Sequence, residues 1–262
     1  MKITSRDNSL LRHARAVRDG KTDETIFVEG LRLSEEALRS GLKIDALIYS
    51  EQIAKKPRAA QLIRDLEKVA EKSASVSEKL LESISYTKTP QGIVLLAERP
   101  NLSETEFTAR QTATPLLVVM HQINNPVNVG AILRAAEAAG ATGVITTSGT
   151  ADPFSPKSLR GAMGSAFRLP TWTNTELEKT VARCRTSGVQ IICADVRAAT
   201  SYTDVDWSKP SALVLGPESA GLSQDEIALA DLSVRIPMKG ATESLNVALA
   251  AGIILFEASR QR

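Results

Sequence analysis

The chain reads as an α/β protein, with a mostly parallel sheet covered by helices on both faces and a small α/β/α domain in front of it. Three observations predict this. From Pro115 onward, nearly unbroken β-rich apolar runs alternate with segments of helical period, the pattern of strands buried on both faces. Before residue 97, shorter strand-like and helical runs alternate in the same way. Between them, residues 98–114 are polar, carry Pro100 near their start and show no clear period. The expected division is therefore 1–97, a linker at 98–114 and a second domain at 115–262.

Each element has its own signal. Thr25–Glu29 (TIFVE) predicts a short strand, residues 32–40 a helix and residues 44–49 (IDALIY) a strand. Residues 58–72 form a charged amphipathic pattern, and residues 92–97 (GIVLLA) predict another strand. In the second half the strands are expected at Leu116–Met120 (LLVVM), Gly143–Thr147 (GVITT), 191–194 (IICA), 212–216 (ALVLG) and 233–237 (SVRIP). Helices are expected at 129–139, 176–187, 224–230 and 245–259. Ligands of such sheets bind beyond the carboxyl ends of the strands, so the loops after Met120, Gly216 and Pro237 are where chemistry is sought.

Composition narrows the class. Hydrophobic residues make up 43% and charged residues 24%, ordinary for a soluble globular chain that buries a sizeable core. The net charge of +2 asks for no polyanion, but its distribution is uneven. Residues 1–21 hold six cations (Lys2, Arg6, Arg12, Arg15, Arg18, Lys21) against Asp7 and Asp19. That end suits phosphate contacts, with Arg6, Arg12, Arg15 and Arg18 as candidates, or it is a solvated helix face. Cys184 and Cys193 fit neither a metal spacing nor a disulfide framework, so no metal is expected and both read as thiols in a reducing cytoplasm. No apolar run approaches the roughly 18 residues of a membrane helix, which makes a cytoplasmic protein without membrane partners the expectation.

Three segments carry chemistry. Residues 124–140 (NNPVNVGAILRAAEAAG) follow a strand and open a helix, with Asn128 as a plausible cap. Gly130, Ala131, Ala135, Ala138 and Ala139 leave a face almost without side chains, and Arg134 sits one turn after Gly130. A guanidinium there suits a phosphate, or it is a surface arginine. Residues 212–223 (ALVLGPESAGLS) run from a strand into Gly216-Pro217-Glu218, with Gly221 beyond; an ordinary strand-to-helix turn uses the same residues. Residues 235–257 (RIPMKGATESLNVALAAGIILFE) end a strand at Pro237 and open a helix rich in small residues, for which Ser244 is a candidate cap.

In this order, each after a strand, the three segments closely resemble the motifs of the SpoU/TrmH family of RNA ribose 2′-O-methyltransferases. Val28 to Leu38 (VEGLRLSEEAL) and Thr87 to Val94 (TKTPQGIV) resemble that family's substrate-binding domain, related in fold to an RNA-binding ribosomal protein. The resemblance implies a deep trefoil knot, which periodicity does not reveal and which breaks the usual rule of unknotted chains. It implies S-adenosylmethionine as methyl donor, bound by Leu215, Gly216, Gly221, Ile236, Met238 and Leu245, largely through main-chain groups. Asn128, Arg134, Glu218, Ser244 and Asn246 match the polar positions around the reacting ribose. It also implies a homodimer through the C-terminal domain with the active site at its interface, and RNA as partner, rRNA ahead of tRNA. One position departs from the pattern: His121 stands where members often carry an acid. A strand-end imidazole either titrates near neutrality or packs as a hydrogen-bonded neighbour.

Motifs separate the rival classes. No G-x-G-x-x-G follows a strand, against a dinucleotide-dependent dehydrogenase, and no G-x-x-x-x-G-K-[ST] exists, against a P-loop NTPase. A non-catalytic RNA-binding protein is the alternative, opposed by the intact glycine loops and Arg134.

Overall fold

A computed structural model describes residues 1–262. The chain forms two compact units, one of Met1–Pro100 with Phe154–Phe167, the other of Asn101–Pro153 with Arg168–Arg262.

In the first unit the elements run α1 (Ser9–Arg18), β1 (Thr25–Glu29), α2 (Leu31–Arg39), β2 (Ile44–Ser50), α3 (Pro57–Glu67), β3 (Lys72–Val76), α4 (Glu78–Glu82) and β4 (Ile93–Glu98). The sheet order is β1-β4-β2-β3, with β4 antiparallel to both neighbours and β2 parallel to β3. One face packs Phe27, Ile48, Val76 and Leu96 against Leu11, Ala14 and Val17 of α1. The other face buries Ile26, Val28, Leu47 and Leu95, where α2 and α3 lie. This is the expected three-layer sandwich. The helix expected over 58–72 stops at Glu67, and Lys72 already begins β3. The polar KSASV strand gave no apolar run to reveal it.

In the second unit, α5 (Glu104–Ala109) opens residues read as a linker. Ser103 caps it through a reciprocal box with Glu106, and Phe107 is buried in the core. Then come β5 (Leu116–Met120), α6 (Pro126–Ala138) and β6 (Gly143–Thr147). The chain next gives α7 (Pro156–Ala162) and the start of α8 (Ser165–Arg168) to the first unit, where α7 packs beside β1 and the Arg99 guanidinium lies 4.7 Å from the Phe154 ring centre. Residues 154–167 thus group with the first unit although their place in the sequence is in the second half. The chain continues through β7 (Thr171–Thr175), α9 (Leu177–Thr186), β8 (Gln190–Ala194), β9 (Thr200–Ser201), β10 (Ser211–Leu215), α10 (Gln224–Ala228), β11 (Leu232–Arg235) and α11 (Val247–Gln261).

The seven strands pair in parallel throughout, in the order β7-β6-β5-β10-β8-β11-β9. All five residues of β5 and of β10 are buried, as strands covered on both faces must be. Leu117, Val119, Ile145, Ile191, Ala212 and Val214 meet Phe107, Val181 and Leu222 on one face. On the other, α6 and α11 pack together and bury Ile132, Leu133, Ile254 and Leu255. Each such side chain contributes about 1.5–3 kcal/mol by leaving water. The small residues serve this packing: a Cβ built on Gly252 of α11 lies 4.0 Å from Ala135 of α6. The register sets Met120 opposite Leu215 and Ala194 opposite Val234, so β5, β10, β8 and β11 end along one edge. Between β5 and β10 the strand order reverses. No helix is long and apolar enough to cross a membrane.

Candidate active site at the strand ends

Beyond that edge, within the second unit, lies a cavity of about 470 Å³, inside the usual range for small-molecule sites. Its apolar wall includes Leu215, Val234, Ile236, Leu245 and Ile254. The loop after β10 supplies Gly216, Glu218 and Gly221, and the loop after β11 supplies Met238, Ser244 and Asn246. Asn128 enters from α6. Ten of the eleven residues nominated for cofactor and ribose thus meet in one cavity; Arg134 does not line it. It sits exposed on the outer side of α6 and makes no hydrogen bond or ion pair within the chain. Its helical neighbours Leu133 and Ala136 face the core, which turns residue 134 outward.

The polar side of the cavity is ordered from a helix end. Asn246 caps α11: its Oδ1 accepts from the amides of Ala248 (3.0 Å) and Leu249 (3.3 Å). That commits the oxygen, so Nδ2 points away and donates to Asn128 Oδ1 at 3.1 Å. Asn128 must then present its own Nδ2, which donates to Glu218 Oε1 at 3.0 Å. The direction of every bond in the chain α11–Asn246–Asn128–Glu218 follows from the cap. Asn128 is buried, whereas Glu218, Ser244 and Asn246 are exposed at the rim.

Two capping expectations are corrected. Asn125, not Asn128, caps α6, its Oδ1 accepting from Val127 N at 3.0 Å, because Pro126 takes the first helical position, where its fixed φ and missing N–H are harmless. Asn246, not Ser244, caps α11. Gly216 also has a structural duty: a Cβ there would lie 2.9 Å from Leu222 N and 2.7 Å from Leu222 Cγ. Replacing it disturbs the loop itself, so Gly216→Val does not test cofactor contact alone. Gly221 holds φ +65° and closes the turn by donating to Pro217 O at 2.9 Å.

The strand-end rule applied to β8 as well finds what motif reading missed. Asp195, Val196 and Arg197 form a further wall of the cavity. Arg197 donates from Nε to Asp195 Oδ1 (3.1 Å) and from Nη2 to Leu222 O (3.4 Å), tying the loop after β8 to the loop after β10. Arg235, exposed at the end of β11, lines the same space.

His121 is a packed neighbour. It is buried just beyond β5, with Nδ1 2.9 Å from Thr147 Oγ1 and Nε2 2.9 Å from Glu226 Oε1. The carboxylate can only accept, which places a proton on Nε2. Burial works to raise the Glu226 pKa, but the Ser223 amide and His121 hold it below the ordinary value.

In the first unit the arginine group divides. Arg18 donates to Asp19 Oδ1 (2.8 Å) and to the carbonyls of Ser83 (3.4 Å) and Ser85 (3.3 Å), and Arg15 donates to Arg6 O at 2.9 Å. Both are engaged inside the unit. Arg6 and Arg12 remain exposed.

A cavity between glycine loops, beyond the carboxyl ends of the parallel strands β8, β10 and β11, defines a ligand-binding domain of the open α/β class. More specifically, the chain belongs to the SpoU rRNA methylase family, which residues 115–256 match, while residues 11–95 match the MRM3-like substrate-binding domain. It is 32% identical to the 23S rRNA (guanosine(2553)-2′-O)-methyltransferase RlmP of Bacillus subtilis, over 88% of this chain and 87% of that one. It is likewise 32% identical to the 23S rRNA (uridine(2479)-2′-O)-methyltransferase of Streptomyces viridochromogenes, over 100% of this chain and 92% of that one. Among solved structures, the AdoMet-bound rRNA methyltransferase of Sinorhizobium meliloti superposes with a TM-score of 0.85 at 32% identity, over 99% of this chain and 97% of that one.

Proposed function

We propose that the chain transfers a methyl group from S-adenosylmethionine to a ribose 2′-hydroxyl of 23S-type ribosomal RNA in the cytoplasm. The observation that carries this reading is the meeting of the Gly216 and Ile236 loops with the Glu218–Asn128–Asn246 chain in one cavity. The donor set fits the cofactor: apolar walls at Leu215, Ile236 and Leu245 suit a purine, and loop main chain offers groups for its polar edges. When bound, the cofactor supplies a methyl already activated on a sulfonium.

The chain's own residues then have to orient the hydroxyl and help its proton leave, and alignment alone removes several kcal/mol of barrier. With the donor bound, the hydroxyl oxygen would form the new bond to the methyl carbon, the carbon–sulfur bond would break with its electron pair staying on sulfur, and the hydroxyl proton would pass to solvent water. Glu218, held by Asn128, offers a carboxylate oxygen at the rim that accepts a hydrogen bond from that hydroxyl. A guanidinium stays protonated at neutral pH, so Arg134 grips the neighbouring phosphate and lowers the hydroxyl pKa electrostatically. Arg134 lies outside the cavity of its own chain, which suits a site completed by a second copy. The outer face of α11 supports that dimer: Leu249 is 54% and Phe256 55% exposed, two turns apart on the same side. The first unit selects the RNA, with Arg6 and Arg12 on phosphates.

The test is labelled methyl transfer to 23S rRNA and tRNA transcripts, together with calorimetry of adenosylmethionine on the wild type and Leu245→Asp. Transfer to rRNA and cofactor binding weakened at least tenfold in the variant are expected. A wild type that binds no cofactor would reduce the protein to an RNA-binding module.

A further inference from the structure

Two sequence segments outside the catalytic unit, VEGL and TKTPQG, form one construction in the first unit. Glu29 ends β1 with its carboxylate buried, only 8% of the residue being exposed. Its Oε2 accepts from the amides of Tyr86 (2.8 Å) and Thr87 (3.1 Å), and its Oε1 from Thr87 Oγ1 (2.7 Å). A buried carboxylate needs such donors, and here all three come from the loop between α4 and β4. The other end of that loop is fixed too. A Cβ on Gly30 (φ +105°) would come within 2.8 Å of Gln91 Oε1, and one on Gly92 (φ +86°) within 2.6 Å of Ile53. The loop is therefore held at both ends by the motif residues.

What the anchored loop presents is an aromatic ring. Tyr86 is 44% exposed, while Phe27, Phe154 and Phe167 of the same unit are buried and Tyr49 is half-buried. Its anchoring runs through the backbone amide, which leaves the ring free to be met from outside. Lys88 in the same loop and Arg32, two residues beyond Gly30, are exposed and make no hydrogen bond or ion pair within the chain. An exposed ring on a loop anchored at both ends, with exposed cations in the same loop and at the start of α2, offers what an unpaired nucleotide requires: stacking on the base and charge for its phosphates.

We infer that Tyr86 is a stacking platform for an unpaired base of the RNA substrate, with Lys88 and Arg32 on the adjoining phosphates. The inference rests on the proposed RNA substrate but not on catalysis. The test is filter binding of in vitro transcribed 23S rRNA fragments to the full-length protein, wild type, Tyr86→Ala, Tyr86→Phe and Lys88→Ala, over a salt series. Loss of one base stack corresponds to roughly 5- to 150-fold weaker binding, expected for Tyr86→Ala, while Tyr86→Phe keeps the ring and the affinity. Lys88→Ala should reduce the slope of log affinity against log salt by about 0.7–0.9, one phosphate contact. Adenosylmethionine affinity and thermal unfolding should not move in any of the three. Unchanged RNA binding by Tyr86→Ala overturns the platform, and equal losses in Ala and Phe variants assign the contact to the hydroxyl and overturn stacking. A wild type that binds the RNA but methylates nothing removes the proposed function and leaves the platform standing; a wild type that does not bind the RNA removes both.

Discussion

Asn246 does two jobs that substitution can separate. Its Oδ1 caps α11 and its Nδ2 fixes Asn128, which fixes Glu218. Asn246→Ala removes the cap, worth about 1 kcal/mol, and one amide hydrogen bond, also about 1 kcal/mol. The loss of about 2 kcal/mol should lower the melting temperature by roughly 4–8 °C for a chain of this size. Asn246→Asp keeps a capping oxygen, and its charge is favoured at a helix N-terminus by about 0.3–1 kcal/mol. It cannot donate to Asn128, however, so two oxygens face each other until the Asn128 amide turns over. That turn points Asn128 Oδ1 at the Glu218 carboxylate. Stability should fall by about 1 kcal/mol at most, while a misdirected reacting group reduces rate by about a hundredfold. In the alanine variant Asn128 remains free to donate to Glu218, and a loss nearer tenfold is expected. The two rankings are therefore opposite: Ala is the less stable variant and Asp the less active. Thermal unfolding without cofactor and single-turnover methyl transfer read the two quantities. An aspartate variant as active as the alanine variant would refute the directed chain.

Other outcomes follow from the same geometry. Arg134→Ala, at an exposed and unpaired side chain, should change stability by no more than about 0.5 kcal/mol and leave cofactor affinity intact, yet lose turnover by orders of magnitude. Arg134→Lys should rescue it poorly, because an ammonium lacks the planar two-pronged grip; near-normal turnover of the alanine variant would make Arg134 a surface residue only. Phe256→Asp should give a monomer by sedimentation at micromolar concentration, and a persistent dimer would place the interface elsewhere. Burial pushes both Cys184 and Cys193 up to about 11, so at pH 8 only about one thiol in a thousand is ionised; neither should react with a thiol reagent until the protein unfolds. For Glu226 the folded pKa lies below its ordinary value, so its contribution to stability is full above the unfolded pKa of about 4.3 and is lost as pH falls through the folded one. His121→Ala should lower stability by about 1–3 kcal/mol, with Thr147 and Glu226 losing a partner, and should shrink this acid-side loss in pH-dependent unfolding.

The parallel sheet was legible because LLVVM, GVITT and their relatives are apolar runs too short for buried helices. β7 escaped because TWTNT is polar, and it could be polar because it lies at the sheet edge, where Asn174 takes φ +60°. The cavity was legible through its glycines and its order of motifs, since strand-end loops need small residues whatever the ligand. Side-chain direction was not. The phase that turns Arg134 outward follows from which neighbours meet the core, and the bonds that occupy Arg18 end on Ser83 and Ser85, far away in sequence. The cap of α6 was legible in principle, because Pro126 marks the first helical turn and sets Asn125 before it. The meeting of Glu29 with Tyr86 and Thr87 spans nearly sixty residues, and no local pattern announces it.

Ribose methylation of ribosomal RNA can be read directly on the product. The most direct measurement incubates the protein with adenosylmethionine and in vitro transcribed 23S rRNA, digests the product to nucleosides and locates the added mass by fragmentation across the glycosidic bond. A methyl retained on the sugar fragment is expected, at a single kind of nucleoside, and formed about a hundredfold more slowly by Asn246→Asp. A methyl found on the base fragment, or no methylated nucleoside from a protein that binds both RNA and cofactor, would contradict it.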